Sequence, residues 1–214
     1  RQTELNWFVN LDDNPYFDDW KSFIPEPNKK SSIDFMDELP LSLKEAIYSF
    51  LISVSIRNLR GDRFQHKTML IHATRLVTLQ ERLKFLVNDF IQEIYYSMAN
   101  TRNGAENVHT LQMQEIFKYR YPEVSEKWKD IRYELRETIA LTLDHVFEVN
   151  GNSKDVIDEK KWKNGLTSIR VGGEKLSRGL TLQGLITSYF LRVSKPYDTL
   201  MQMGRWFGYR DNYE

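Results

Sequence analysis

Two arginines, each fixed beside a glycine, stand on either side of one apolar run. Arg178-Gly179 precedes Leu185–Leu191, and Gly204-Arg205 follows it, with Gln202 just before that pair and Gly208 and Arg210 just after. A guanidinium keeps its charge when buried and can grip two phosphate oxygens at once, which a lysine cannot. The neighbouring glycines lack a Cβ and let the backbone approach a ligand closely. A Gly172-Gly173 turn directly follows another apolar run, Thr167–Val171. Either arginine alone has a commoner fate, as a surface charge before a turn or as the partner of a carboxylate. Loops of this kind can also bring guanidinium forks and backbone N–H groups to one edge of a sheet, which suits phosphate.

Other chemistries are poorly supplied. The chain has no cysteine, which excludes disulfides, thiol nucleophiles and thiolate zinc sites. His66, His72, His109 and His145 have no metal-ligand spacing, so no metal residues are assigned, and His72 within an apolar run reads as a core histidine. No G-x-x-x-x-G-K-[ST] occurs, nor any Gly-Lys dipeptide, so a P-loop is absent from these residues. Asp37-Glu38 is a carboxylate pair, but it follows SSIDFM rather than a clean apolar strand. Glu159-Lys160-Lys161, with Asp144 or Asp155 upstream, has the letters of a magnesium nuclease but falls in a charged stretch that reads as a solvated loop. Trp206, Phe207 and Tyr209 read as core aromatics before base-stacking platforms, and Asn150–Ser153 reads as a turn.

The elements that must position these residues follow from periodicity. The first forty residues are rich in Asp, Asn, Pro and Ser and read as an irregular segment pinned by aromatic rings. From Ser42 a capping box, Ser42-Leu-Lys-Glu45, opens a helix carrying Leu43, Ile47, Phe50 and Val54 on one face and stopping near Gly61. Met69–Ala73 reads as a buried strand, and a second capping box at Thr78–Glu81 opens a long helix with Leu79, Leu83, Leu86, Phe90 and Ile94 inward. A helical insertion is expected over roughly 100–144, broken at Tyr121-Pro122, with Trp128, Ile131, Leu135, Ile139 and Leu143 on one face. Val146–Val149, Thr167–Val171 and Leu185–Leu191 complete the strands. Strands alternating with helices predict an α/β fold with a mainly parallel, covered sheet, and in such sheets ligands bind at the carboxyl ends of the strands.

Composition sets the outer bounds. Apolar residues make up 41% of the 214 residues and aromatics 13%, enough for a real core. Thirty acidic and thirty basic side chains cancel, which argues against a wholly basic nucleic-acid-wrapping surface while leaving room for a local basic face. No apolar run approaches the ~20 residues of a membrane span and no signal peptide opens the chain, so a cytoplasmic protein without a membrane partner is expected. The chain opens without methionine and stops just after a dense motif, the pattern expected of a segment from a longer protein.

The block VGGEKLSRGLTLQGLITSYFLRVSKPYDTLMQMGRWFGYR resembles motifs V and VI of superfamily-two helicases. More narrowly, LSRGLTLQGLITSYFLR with YDTLMQMGRWFGYR, LPLSLKEAIYSFLISVSIRNLRG and HKTMLIHATR is similar to the Z-one domain family. That family comprises bacterial, restriction-system proteins named as endonucleases and linked to helicase-type ATPase segments. The resemblance implies a RecA-like, helicase C-terminal-type lobe over 41–214. Within it, Arg205 and Arg210 would be catalytic, and Gly173, Arg178, Gly179, Gln202 and Gly204 would bind nucleotide. Thr74, Arg75 and Gly172 would contact nucleic acid. It further implies ATP and Mg²⁺ held mainly by a P-loop lobe elsewhere in the same protein, with DNA and a nuclease domain or subunit as partners. Three departures are visible: Arg210 lies five residues after Arg205 rather than three, Thr181 stands where many helicases have Asp, and Gln202 is one residue closer to Gly204-Arg205.

The expected function is thus the second lobe of a DNA-directed ATPase, inactive as an ATPase alone. Two alternatives differ in class. A non-catalytic scaffold would recruit a nuclease through Tyr119, Tyr121, Trp128 and Tyr133 of the insertion. A magnesium endonuclease would use Glu159.

Overall fold

The computed structural model describes residues 37–72, 77–101, 105–149, 162–173 and 183–191. In chain order they form α1 (Leu41–Leu59), β1 (Lys67–His72), α2 (Val77–Asn100), α3 (Val108–Arg120), α4 (Trp128–Thr142), β2 (Val146–Val149), β3 (Thr167–Gly172) and β4 (Leu185–Phe190). The four strands make one sheet in the order β2-β3-β1-β4. All three pairings are parallel, with Met69 opposite Ile169, Ile71 opposite Tyr189 and Val146 opposite Ile169. The mainly parallel α/β sheet expected from the sequence is therefore present. Among the described residues no helix is long and apolar enough to cross a membrane.

Side-chain alternation along the strands splits the sheet into two unlike faces. Met69, Ile71, Val146, Ile169, Val171 and Tyr189 lie on the first face and join the apolar stripes of all four described helices in one core. The helical stripes are those expected from periodicity. Leu43, Ile47, Phe50 and Val54 of α1, Leu79, Leu83 and Ile94 of α2, and Ile131, Leu135 and Ile139 of α4 are all buried. Removing each such side chain from water contributes about 1.5–3 kcal/mol. On the second face Leu70, Val149 and Leu185 form a separate small cluster with Phe190, without any helix residue. This face is also buried, and it carries polar side chains, Thr68, His72, Ser168 and Arg170, along its two central strands.

The helices expected over 100–144 form and break at Tyr121-Pro122 as anticipated, but they share the common core. The Tyr121 hydroxyl donates to the Ser49 carbonyl at 2.9 Å and lies 2.7 Å from Ser53 Oγ. Arg120 pairs with Glu45, and Arg60 Nε donates to Glu126 at 2.8 Å. Tyr121 and the residues on either side of the break, Arg120 and Glu126, are thus clasped to α1 and its C-cap. Trp128 stacks on Phe117 with ring centroids 5.6 Å apart.

Both expected capping boxes are corrected. Pro40 is the N-cap of α1 and makes no side-chain cap bond. Ser42 already lies inside the helix, where its hydroxyl sits 2.7 Å from that of Tyr189. A buried tyrosine hydroxyl needs a partner, and this serine supplies it instead of capping. Thr78 is the second residue of α2 and so cannot be its N-cap. The capping box that does form opens α3. Asn107 Oδ1 accepts from the Thr110 N–H at 2.9 Å, and Thr110 Oγ1 accepts from the Asn107 N–H at 2.9 Å. Gly61, with φ +96°, ends α1 as expected.

Candidate functional site

Parallel pairing brings the carboxyl ends of all four strands to one edge: His72, Val149, Gly172 and Phe190. Gly172 lies opposite Val149, and Gly173 follows it; both are buried. Of the residues assigned to catalysis, nucleotide or nucleic acid, these two are described. Thr74, Arg75, Arg178, Gly179, Gln202, Gly204, Arg205 and Arg210 lie outside the described residues, as do Asn150, Asp155, Glu159, Thr181 and the aromatics Trp206, Phe207 and Tyr209. In sequence, Thr74 and Arg75 fall between His72, the last residue of β1, and Val77, the first of α2. A chain advances at most ~3.6 Å per residue, so the N-terminus of α2 cannot lie far from this edge. Its first N–H groups have no partner within the helix and, with the helix dipole, favour anions.

Two features fix the edge. His72 is fully buried, and its ring stacks on that of Phe190, with centroids 4.5 Å apart and planes 2° from parallel. The Leu191 N–H donates to the His72 carbonyl at 3.2 Å. The core position expected of His72, read from sequence as a hydrogen-bonded core histidine, is present, with an aromatic partner that the sequence did not reveal. The signal available was positional, since each ring closes an apolar run that became a strand. Glu148 is the only carboxylate in the four strands, and it is buried.

The opposite, amino end holds the charges that sequence reasoning passed over. Lys67, first residue of β1, is 1% exposed, and its ammonium donates to the carbonyls of Arg63 at 3.2 Å and Gln65 at 3.0 Å. Burial lowers its pKa to about 8, helped by the charges of Arg57 and Arg63 and opposed by Asp62 and Glu134. Arg63 reaches Glu134 at 2.8 Å and Glu137 at 2.6 Å, while Asn58 donates to Glu134 at 2.9 Å. Arg57 meets Asp62 at 2.7 Å. These bonds join α1, α4 and the turn into β1. The polar string DRFQHK (62–67) supplies most of them, and Lys67 extends the strand two residues before its expected start.

A third polar group lies between helices. Tyr48 Oη is 2.7 Å from His109 Nδ1 and 2.9 Å from Gln112 Oε1, and His109 Nε2 is 3.3 Å from Glu93. Burial raises the Tyr48 pKa, the reverse of what a nucleophile needs, and Glu93 adds to the rise. Burial also lowers the His109 pKa, with Glu93 opposing. The group is a buried joint of α1, α2 and α3. Asp37 and Glu38 stand in a bend before α1, within 4.0 Å of Arg82 and 3.8 Å of Lys44 respectively. Asp144 occupies a left-handed turn (φ 63°) before β2, at the amino end of the sheet and away from the glycines.

The Z1 domain matches residues 42–214, most of the chain, including the entire described sheet. The chain belongs to the Z1 domain family. No curated protein and no solved structure matches it. In this Z1 domain the match begins at Ser42, one residue into α1, and runs through the segment that carries Arg178, Arg205 and Arg210.

Proposed function

We propose that this Z1 domain is the second, RecA-like lobe of a helicase-related, DNA-directed ATPase acting in a bacterial restriction-type system. The observation that carries the reading is the shared carboxyl edge. Three strands, β1, β3 and β4, end there, and each is followed in sequence by residues of phosphate or nucleic-acid chemistry: Thr74 and Arg75, Gly172-Gly173 with Arg178, and Gln202, Gly204 and Arg205. Buried glycines and a nearby helix N-terminus suit the phosphates of ATP. Gly173, Arg178, Gly179, Gln202 and Gly204 would hold the nucleotide, and Arg205 would steady charge on the transferring phosphoryl group. Arg210, at its departed spacing, is the weaker partner. Thr74, Arg75 and Gly172 would face the DNA backbone. Glu148, the only carboxylate in the four described strands, is buried, and the ligands of Mg²⁺ would belong with a P-loop lobe on the same protein.

A scaffold reading has one observation in its favour: Tyr119 and Tyr133 are 71% and 82% exposed. Its other two aromatics, Tyr121 and Trp128, are engaged within the helical layer, which halves the surface it was expected to use. The test is ATP turnover by the whole protein and by the isolated domain, each with and without duplex DNA. The ATPase reading expects DNA-stimulated turnover from the whole protein alone. DNA binding without any nucleotide effect would replace it with the scaffold.

A further inference from the structure

We propose that the stacked rings of His72 and Phe190 are a positioning pair that couples the carboxyl ends of β1 and β4, and with them the sequence segments that follow each. The inference rests on the ATPase reading above and names the joint through which its two ligands would communicate. β1 and β4 are neighbours, and His72 and Phe190 are register partners at their last paired position. From His72 the chain passes directly to Thr74 and Arg75, assigned to the DNA backbone. From Phe190 it passes to the segment holding Gln202, Gly204 and Arg205, assigned to the nucleotide.

At that position two independent contacts lock the strand ends together. One is the ring stack, at 4.5 Å and 2°. The other is the Leu191 N–H to His72 carbonyl bond at 3.2 Å, which lies one residue beyond the paired strand. A backbone bond fixes spacing but leaves the strands some freedom to twist about it. Two flat rings packed face to face remove that freedom, because tilting either one breaks contact across its whole surface. A displacement at the end of one strand is thus carried to the end of the other. His72 is fully buried and Phe190 partly so, which suits a pair that transmits position without touching either ligand.

The experiment measures ATP turnover by the whole protein against DNA concentration for wild type, Phe190→Leu and Phe190→Tyr, with thermal unfolding of each as a check on folding. Leucine keeps apolar bulk but removes the ring; tyrosine keeps the ring. The expected result for Phe190→Leu is unstimulated turnover within about twofold of wild type and DNA stimulation reduced about tenfold, in the range of ordinary coupling between sites. Phe190→Tyr should restore stimulation. Equal stimulation in Phe190→Leu and wild type would overturn the coupling role and leave the ATPase reading standing. Parallel loss of unstimulated and stimulated turnover in both variants would also overturn it, marking the ring as a fold element only. Absence of turnover in wild type would remove the ATPase reading and the coupling with it.

Discussion

The two ends of the sheet are built for different purposes. At the amino end the strands are anchored by contacts that leave no room. Gly184, at φ +65°, would place a Cβ on the His66 carbonyl, and Gly165, at φ +76°, would place one 2.6 Å from the Gln65 carbonyl. Backbone bonds run from Lys67 to Leu166 at 2.9 Å and from Thr68 to Gly184 at 2.7 Å, and the Lys67 network closes the same end. At the carboxyl end the strands finish in two glycines, a ring stack and a single bond beyond the ladder. Charge at the amino end is consumed in holding α1, α4 and β1 together. Charge assigned to ligands belongs to the segments that follow the carboxyl end. The contrast sets an anchored edge against the edge where the proposed chemistry would lie.

The largest expected effect breaks the anchored end. Gly184→Ala should cost at least about 3 kcal/mol, because both the left-handed backbone and a backbone carbonyl oppose the new methyl. Gly61→Ala is the control: its φ is +96°, but nothing lies within 4 Å, so only the conformational cost of about 1 kcal/mol remains. Denaturant unfolding of both separates crowding from backbone strain. Equal effects would show that the close approach at Gly184 is relieved by movement of the chain.

Next in size is the charge network. Glu134→Ala removes the acceptor shared by Asn58 and Arg63 and should cost about 1–2 kcal/mol, less than for a fully buried pair because Arg63 is 36% exposed. Glu137→Ala, at a side chain 56% exposed, should cost under about 0.5 kcal/mol.

Titration sharpens the comparison further. The folded protein holds Lys67 at about 8 against an ordinary 10.5, so between those values the unfolded chain keeps a proton that the folded chain has released. Stability should therefore rise as pH increases from about 8 towards 10.5, and Lys67→Met should flatten that rise in pH-dependent denaturant unfolding. His109 has the same sign in an acidic window. Its folded pKa lies below 6.5, so stability present above that value is lost as pH falls, and His109→Gln should reduce the loss. A wild-type profile identical to that of either variant would show that burial does not govern that group.

What the sequence made legible was whatever burial writes into a period. The stripes of α1, α2 and α4 were readable because one face of each had to leave water, and the apolar runs of the strands because the central pair is buried on both faces. Local polar signals misled where tertiary partners competed for them. Ser42 bonds to Tyr189, 147 residues away, and so its match to a capping box had no bearing on the helix start. The box at Asn107 was missed because Thr110, not Glu or Gln, returns the bond. Lys67 fell outside the expected strand, Met69–Ala73, yet it lies in the core because two backbone carbonyls accept from its ammonium. At the candidate site, the carboxyl-edge location was inferable from strand order, whereas the His72–Phe190 stack was not, since register between two strands over 100 residues apart is set by the whole fold.

The central claim is that the segment after β4 delivers an arginine to the phosphate being transferred. Its most direct test is ATP turnover by the whole protein, with and without duplex DNA, for wild type and Arg205→Ala. The account predicts DNA-stimulated turnover in wild type, falling about 10³-fold in the variant while ATP binding persists. Undiminished turnover in Arg205→Ala would contradict it.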